Sequence, residues 1–146
     1  MTEDIFDPDS PVHAKALGML ERDRIAWITT LGGDGSPRAV PVWFFWHDGM
    51  MSILSEPDSH KVAHIRTDPR VLVHLHAGGP TGDDVVVVRG TATVTPDGAA
   101  EWIQRFREPY AAKYAESIEA FGIPVEGLAQ KFSTLIEFRP DHLLAW

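Results

Sequence analysis

Residues 25–55 read IAWITTLGGDGSPRAVPVWFFWHDGMMSILS. IAWITTL is β-branched and aromatic, the composition of a strand, and GGDGSP punctuates it as a turn. RAVPVWFFW follows as a second strand. HDG is a hairpin signal leading into a third strand, MMSILS. Three successive strands separated by short turns predict antiparallel pairing. Pro41 interrupts the second of them. Proline cannot donate to a ladder, so it predicts a sheet edge, a bulge or a place where the sheet opens.

The aromatic run Trp43, Phe44, Phe45 and Trp46 alternates by strand geometry, which sends Trp43 and Phe45 to one face and Phe44 and Trp46 to the other. Two readings of that run stand side by side. One pair fills a barrel while the other covers a helix or a dimer contact, or one face lines a flat aromatic ligand.

The next stretch, ILSEPDSHKVAHIRTDPR (53–70), passes from strand to helix through a crowd of polar residues. Ser55 and Ser59 supply hydroxyls, Lys61 supplies a positive charge, and amides at a helix start point toward an anion. Equally, Asp58 or Ser59 can simply cap the helix, with Lys61 in solvent. The residues alone leave both readings open.

Further along, VLVHLH predicts a fourth strand, AGGPTGDD a glycine-rich loop, and VVVVRGTATVT a long fifth strand with Val86, Val88, Ala92 and Val94 on one face. Trp102, Phe106, Tyr110, Tyr114 and Ile118 recur every four residues, which predicts helix over 97–121, broken into two by Pro109. GIPVEGLAQ reads as a linker and STLIEF as the last strand. Before residue 25, Pro11 and the spacing of Val12, Ala16, Leu17 and Leu20 predict a first helix. Residues 1–10 read as a flexible, solvated arm, and 11–146 as a single domain. Six short strands with inserted helices predict a mainly β fold, a small six-stranded antiparallel barrel carrying peripheral helices.

Composition limits the function. The chain has 146 residues, 44% hydrophobic, with a net charge of −8. That is one ordinary domain with enough apolar mass for a core, and its acidity argues against a general nucleic-acid or anionic-membrane binder. The absence of cysteine excludes disulfide scaffolds, thiolate metal sites and Cys nucleophiles. MTEDIFDPDS lacks the basic-then-apolar layout of a signal peptide, and no apolar run approaches the length of a membrane span, so a cytoplasmic protein is expected. His60 and His64, one turn apart, and His74 and His76, two apart on a strand, have metal-ligand spacings but no acidic third ligand nearby, so no metal site is expected. There is no nucleophile elbow, no G-x-G-x-x-G and no phosphate-binding G-x-x-x-x-G-K.

The order RIAWITTLGGDGSPRAVPVWFFW, ILSEPDSHKVAHIRTDPRV, VVVVRGTATVTPD resembles the pyridoxamine 5′-phosphate oxidase-like split barrels that bind FMN or coenzyme F420. Within them it is most similar to an actinobacterial branch of F420-dependent oxidoreductases. The resemblance covers roughly residues 20–97, with an echo in the final strand and HLLAW. It implies a homodimer with cofactor at the subunit interface and a small-molecule substrate. It also implies a phosphate held by Ser55, Ser59, His60 and Lys61, and a deazaflavin ring set against Val40, Pro41, Val42 and Trp43, with Leu54 beside them. FMN-using oxidases of this kind usually carry Arg before the Lys, where this chain has His60, and that departure favours F420 over FMN. The resemblance points to no proton donor. His74 or His76 would serve only if their strand faced the cleft. An FMN-binding oxidoreductase and a non-catalytic flavin, F420 or haem carrier are the rival expectations.

Overall fold

The structure, a computed structural model, describes residues 5–146. Helix α1 (Pro11–Arg22) starts at Ser10, whose hydroxyl accepts from the His13 N–H at 3.2 Å, while Pro11 sits in the first turn, where no donor is needed. Ala16, Met19 and Leu20 bury its inner face. Of the arm expected over 1–10, residues 1–4 lie outside the described residues. Ile5 and Phe6 pack against the barrel core, and the Asp7 N–H donates to His13 Nδ1 at 2.8 Å.

Strands β1 (Ile25–Leu31) and β2 (Pro37–Trp43) pair in register from Ile25 opposite Trp43 to Leu31 opposite Pro37. Ala26, Ile28 and Thr30 of β1 are buried, and Ile25 and Trp27 face outward, as period-two alternation requires. Strands β3 (Phe45–His47) and β4 (Met50–Ser55) form a hairpin. Its two central residues, Asp48 and Gly49, both have positive φ, the geometry an Asp-Gly turn favours. Helix α2 (His60–Thr67) follows, then β5 (Arg70–Leu75), β6 (Val86–Thr95) and, at the end of the chain, β7 (Thr134–Ala145).

All pairs are antiparallel, in the order β2-β1-β5-β6-β7-β4-β3. The fold is therefore mainly β, a curled antiparallel barrel with peripheral helices, but with seven strands rather than six. The extra strand arises because RAVPVWFFW, read as one strand, is interrupted at Phe44. The sheet's two edge strands, β2 and β3, are consecutive in the chain and joined by that residue alone, so the two edges of the curled sheet meet at one crossing point.

Phe44 leaves the ladder because helix side chains take its backbone groups. Its N–H donates to Tyr114 Oη at 2.8 Å, and its carbonyl accepts from Lys113 Nζ at 2.7 Å. With Lys113 on that carbonyl, the single Tyr114 hydroxyl proton is left for the Arg24 carbonyl, 2.7 Å away. The Lys113 ammonium also lies 3.7 Å from the centroid of the Phe44 ring. Alternation survives the crossing: Phe44 and Trp46 fill the barrel, while Trp43 and Phe45 join a second apolar cluster under the later helices. Pro41 lies on the edge strand, one of the places its missing N–H allows.

The long strands β6 and β7 slip register between Arg89 and Gly90. Gly90 is required there, because a Cβ would stand 2.1 Å from the Arg139 carbonyl oxygen.

Helix α3 (Ala99–Lys113) runs through Pro109, contrary to the sequence expectation; the break falls at Tyr114, before α4 (Ala115–Phe121). Pro109 is on the exposed side of α3, as is Arg105, whose carbonyl it cannot serve. At Tyr114 the backbone departs from helical angles and the ring is fully buried, with its hydroxyl on Phe44 and Arg24. The expected linker is also corrected. Gly122, at φ +88°, ends α4, and Val125, Leu128 and Ala129 then bury one face of a two-turn helix, α5 (Val125–Lys131). Three apolar positions over five residues are too short a period to stand out in sequence. Helices α3 and α5, with Trp102, Ile103, Tyr110, Val125 and Ala129, build the second core against the barrel.

Candidate functional site

Where the barrel edge meets the helices, a cavity of about 480 Å³ opens. This is within the usual range for a small-molecule site. Strand β2 gives it Pro41, Val42 and Trp43, β1 gives Ile25, and β4 gives Leu54 and Ser55. Glu56, Ser59 and Lys61 come from the junction into α2, and Tyr110, Phe121, Leu128 and Phe132 from the helical side. Trp43 is held flat: its ring stacks on Tyr114 at 4.8 Å and 6°, and Phe121 meets it edge-on at 6.1 Å.

Of the residues expected to bind cofactor, Pro41, Val42, Trp43, Leu54, Ser55, Ser59 and Lys61 share this wall. Val40 instead packs against the barrel core, and His60 is exposed, its ring 6.3 Å from His64. Ser59 occupies the cap position of α2, yet its hydroxyl makes no cap hydrogen bond. It lies 2.9 Å from Ser55 Oγ, which donates to the Glu56 carbonyl at 3.0 Å. Ser59 can therefore turn its proton to a ligand while Ser55 keeps its own bond. The simple capped turn is thus not what the serines build.

Lys61 forms no ion pair among the described residues. Burial lowers its pKa, and the nearby Glu56 carboxylate partly opposes that shift. A half-buried ammonium without a partner is costly unless an anion meets it. Beside the junction, Thr134 pairs with Ser55 across β4 and β7 and buries an Oγ1 that has no partner among the described residues.

Tyr110 stands out on the helical side. It is 4% exposed, lines the cavity, and its hydroxyl makes no hydrogen bond among the described residues. Burial raises its pKa well above that of a free phenol, so it keeps its proton. Its ring packs between Trp102 at 5.2 Å and Tyr114 at 5.1 Å, on the side of the cavity that carries Trp43. Sequence reading placed Tyr110 on a helical stripe but could not tell it from Phe106 or Tyr114. Phe121, Leu128 and Phe132 were missed because they fall at the end of a helix or in the supposed linker. Ile25 was detectable only through its pairing with Trp43.

The histidine pairs are engaged elsewhere. His64 Nδ1 is 2.9 Å from Thr30 Oγ1, and the His74 ring stacks on Trp27 at 6.4 Å. None of His60, His64, His74 and His76 lines the cavity. Among the described residues, no group of three His, Asp or Glu side chains is placed to hold a metal ion, and no helix is long and apolar enough to cross a membrane.

A family model described as pyridoxamine 5′-phosphate oxidase matches residues 12–146. No curated protein matches the sequence. Among solved structures, the chain is similar to an F420 reductase, with 22% identity and a TM-score of 0.65 over 87% of this chain and 94% of the other. It is similar to a conserved hypothetical protein of Mycobacterium tuberculosis, with 20% identity and a TM-score of 0.72 over 100% and 89%. It is similar also to an FAD-binding protein of Mesorhizobium loti, with 20% identity and a TM-score of 0.64 over 89% and 88%. At these identities the likeness establishes a shared fold.

Proposed function

The chain belongs to the pyridoxamine 5′-phosphate oxidase family, and within it we propose a coenzyme F420-dependent oxidoreductase of the actinobacterial branch that its motif order resembles. It would be a cytoplasmic homodimer acting on a small organic molecule, with no role in binding nucleic acid or membrane. One observation carries the reading: a flat aromatic wall at Trp43 shares a cavity with the unpaired Lys61 ammonium and the uncapping Ser59.

When bound, the deazaflavin supplies the hydride. The protein binds and orients. Trp43 and Pro41 give the ring a platform, and Leu54, Phe121 and Phe132 exclude water from it. Lys61 and Ser59 hold the phosphate, and Ser55 beside them positions the Ser59 hydroxyl. His60, exposed beside Ser59 and Lys61, stands where FMN-using oxidases of this kind usually carry Arg, and that departure supports F420 over FMN.

The dimer is supported by the outer sheet face, where Trp27 and Leu72 are exposed on the adjacent strands β1 and β5, and Leu144 on β7, one strand further on beyond β6. Apolar surface of that kind, continuous with the cavity rim at Ile25, suits a second copy of the chain.

The test is a titration of F420 and FMN separately into wild type and Lys61→Ala, with light scattering on the same samples. The expected result is preferential F420 binding to a dimer, weakened in Lys61→Ala by about 1.5–3 kcal/mol. Equal binding by the variant would remove the phosphate site, tighter FMN binding would replace the cofactor, and a monomer would remove the interface.

A further inference from the structure

Tyr110 is a largely buried side chain whose hydroxyl the fold leaves unused among the described residues. The Tyr110 ring is buried, whereas its hydroxyl is engaged by no described residue and is not sealed off, so a molecule in the cavity can reach it. Its neighbour one helical turn on shows the ordinary outcome: Tyr114 has its hydroxyl shared between the Phe44 N–H and the Arg24 carbonyl. Tyr110 instead lines the cavity.

We infer that Tyr110 donates a hydrogen bond to an oxygen of the molecule bound in this cavity, and so selects flat conjugated ligands that carry a carbonyl or enolate oxygen. The inference deepens the proposed function and rests on the cavity being a ligand site. Two features fit it. Buried as it is, the phenol remains protonated and can only be strengthened as a donor by a partner that carries negative charge. Trp43, Phe121 and Phe132 line the same cavity with aromatic surface, and none of the cavity's own acceptors, Ser55, Glu56 and Ser59, engages the Tyr110 hydroxyl. The accepting oxygen belongs either to the cofactor ring or to the substrate, and a binding experiment distinguishes the two.

Tyr110→Phe removes one oxygen and keeps the ring. Its binding is compared with that of wild type for F420, for FMN, and for the isosteric pair acetophenone and α-methylstyrene, which differ by C=O against C=CH2. Ligand-observed NMR gives each affinity. The expected result is that wild type prefers acetophenone over α-methylstyrene by about five- to tenfold more than the variant does. The variant is also expected to unfold at the same or a higher denaturant midpoint than wild type. Loss of F420 affinity in the variant would assign the bond to the cofactor ring; retained F420 affinity with lost acetophenone preference would assign it to the substrate.

An unchanged preference together with unchanged cofactor affinity would overturn the inference. So would marked destabilisation by Tyr110→Phe, because it would mean that the hydroxyl serves the fold. Failure of wild type to bind either cofactor, with the acetophenone preference still lost in the variant, would overturn the proposed cofactor and leave the role of Tyr110 standing.

Discussion

Two polar regions lie back to back across the Trp43–Phe44 peptide, and they treat their polar groups in opposite ways. At the Phe44 crossing each backbone group has a partner: the N–H on Tyr114, the carbonyl on Lys113, and the Tyr114 proton on Arg24. In the cavity on the other side, the Tyr110 hydroxyl and the Lys61 ammonium have none among the described residues, and Ser59 declines to cap its helix. Both regions draw on helix α3. The difference separates groups that hold the barrel edges together from groups left open to a molecule in the cavity.

The sharpest way to break this comparison is to treat the two tyrosines alike. Tyr114→Phe strands the buried Phe44 N–H and the Arg24 carbonyl, and a loss of about 2–4 kcal/mol in denaturant unfolding is expected. The same deletion at Tyr110 strands nothing. Comparable losses at the two positions would erase the distinction between clasp and cavity.

The lysines give a second contrast. Burial lowers the pKa of Lys113 to about 8, with Asp23 partly opposing. The folded state therefore holds this proton more weakly than the unfolded chain. That penalty is fully present below pH 8 and fades as the unfolded lysine approaches its own pKa, so stability rises between pH 8 and 10. Lys113→Met should flatten that rise by about 1 kcal/mol, allowing for partial solvent screening. Unfolding curves at pH 7.5, 9 and 10 read it directly. An unaltered slope would show that the clasp lysine is as well solvated as a surface one.

The barrel was legible because its signals are local. The Asp-Gly turn, the alternation through IAWITTL and the Pro41 edge each depend on a few adjacent residues. The strand–helix junction was legible as a cluster for the same reason, although its geometry was not: whether Ser59 caps depends on where Ser55 stands. What escaped depended on pairing distant parts of the chain. Phe44 breaks its strand because of residues about seventy positions away. The uninterrupted α3 reflects which side of the helix Pro109 occupies. Tyr110 and Tyr114 look alike in sequence, and only tertiary placement gives one of them partners and the other a cavity.

The smallest effect tests how open the cavity's charged end is. Glu56 lies on the same rim as Lys61 and raises its affinity for a proton. The same attraction that holds the lysine charged also offsets part of its field, so a phosphate arriving there gains only the remainder. Glu56→Gln keeps the side-chain shape and removes the negative charge. Anion affinity, measured with inorganic phosphate and with F420, should rise about two- to fivefold, the scale of one exposed charge acting through water. The gain should shrink as salt is raised from 50 to 500 mM, because the interaction is solvent-screened. If affinity fell instead, Glu56 would be acting on the ligand directly, and the anion end of the cavity would have to be sought away from Lys61.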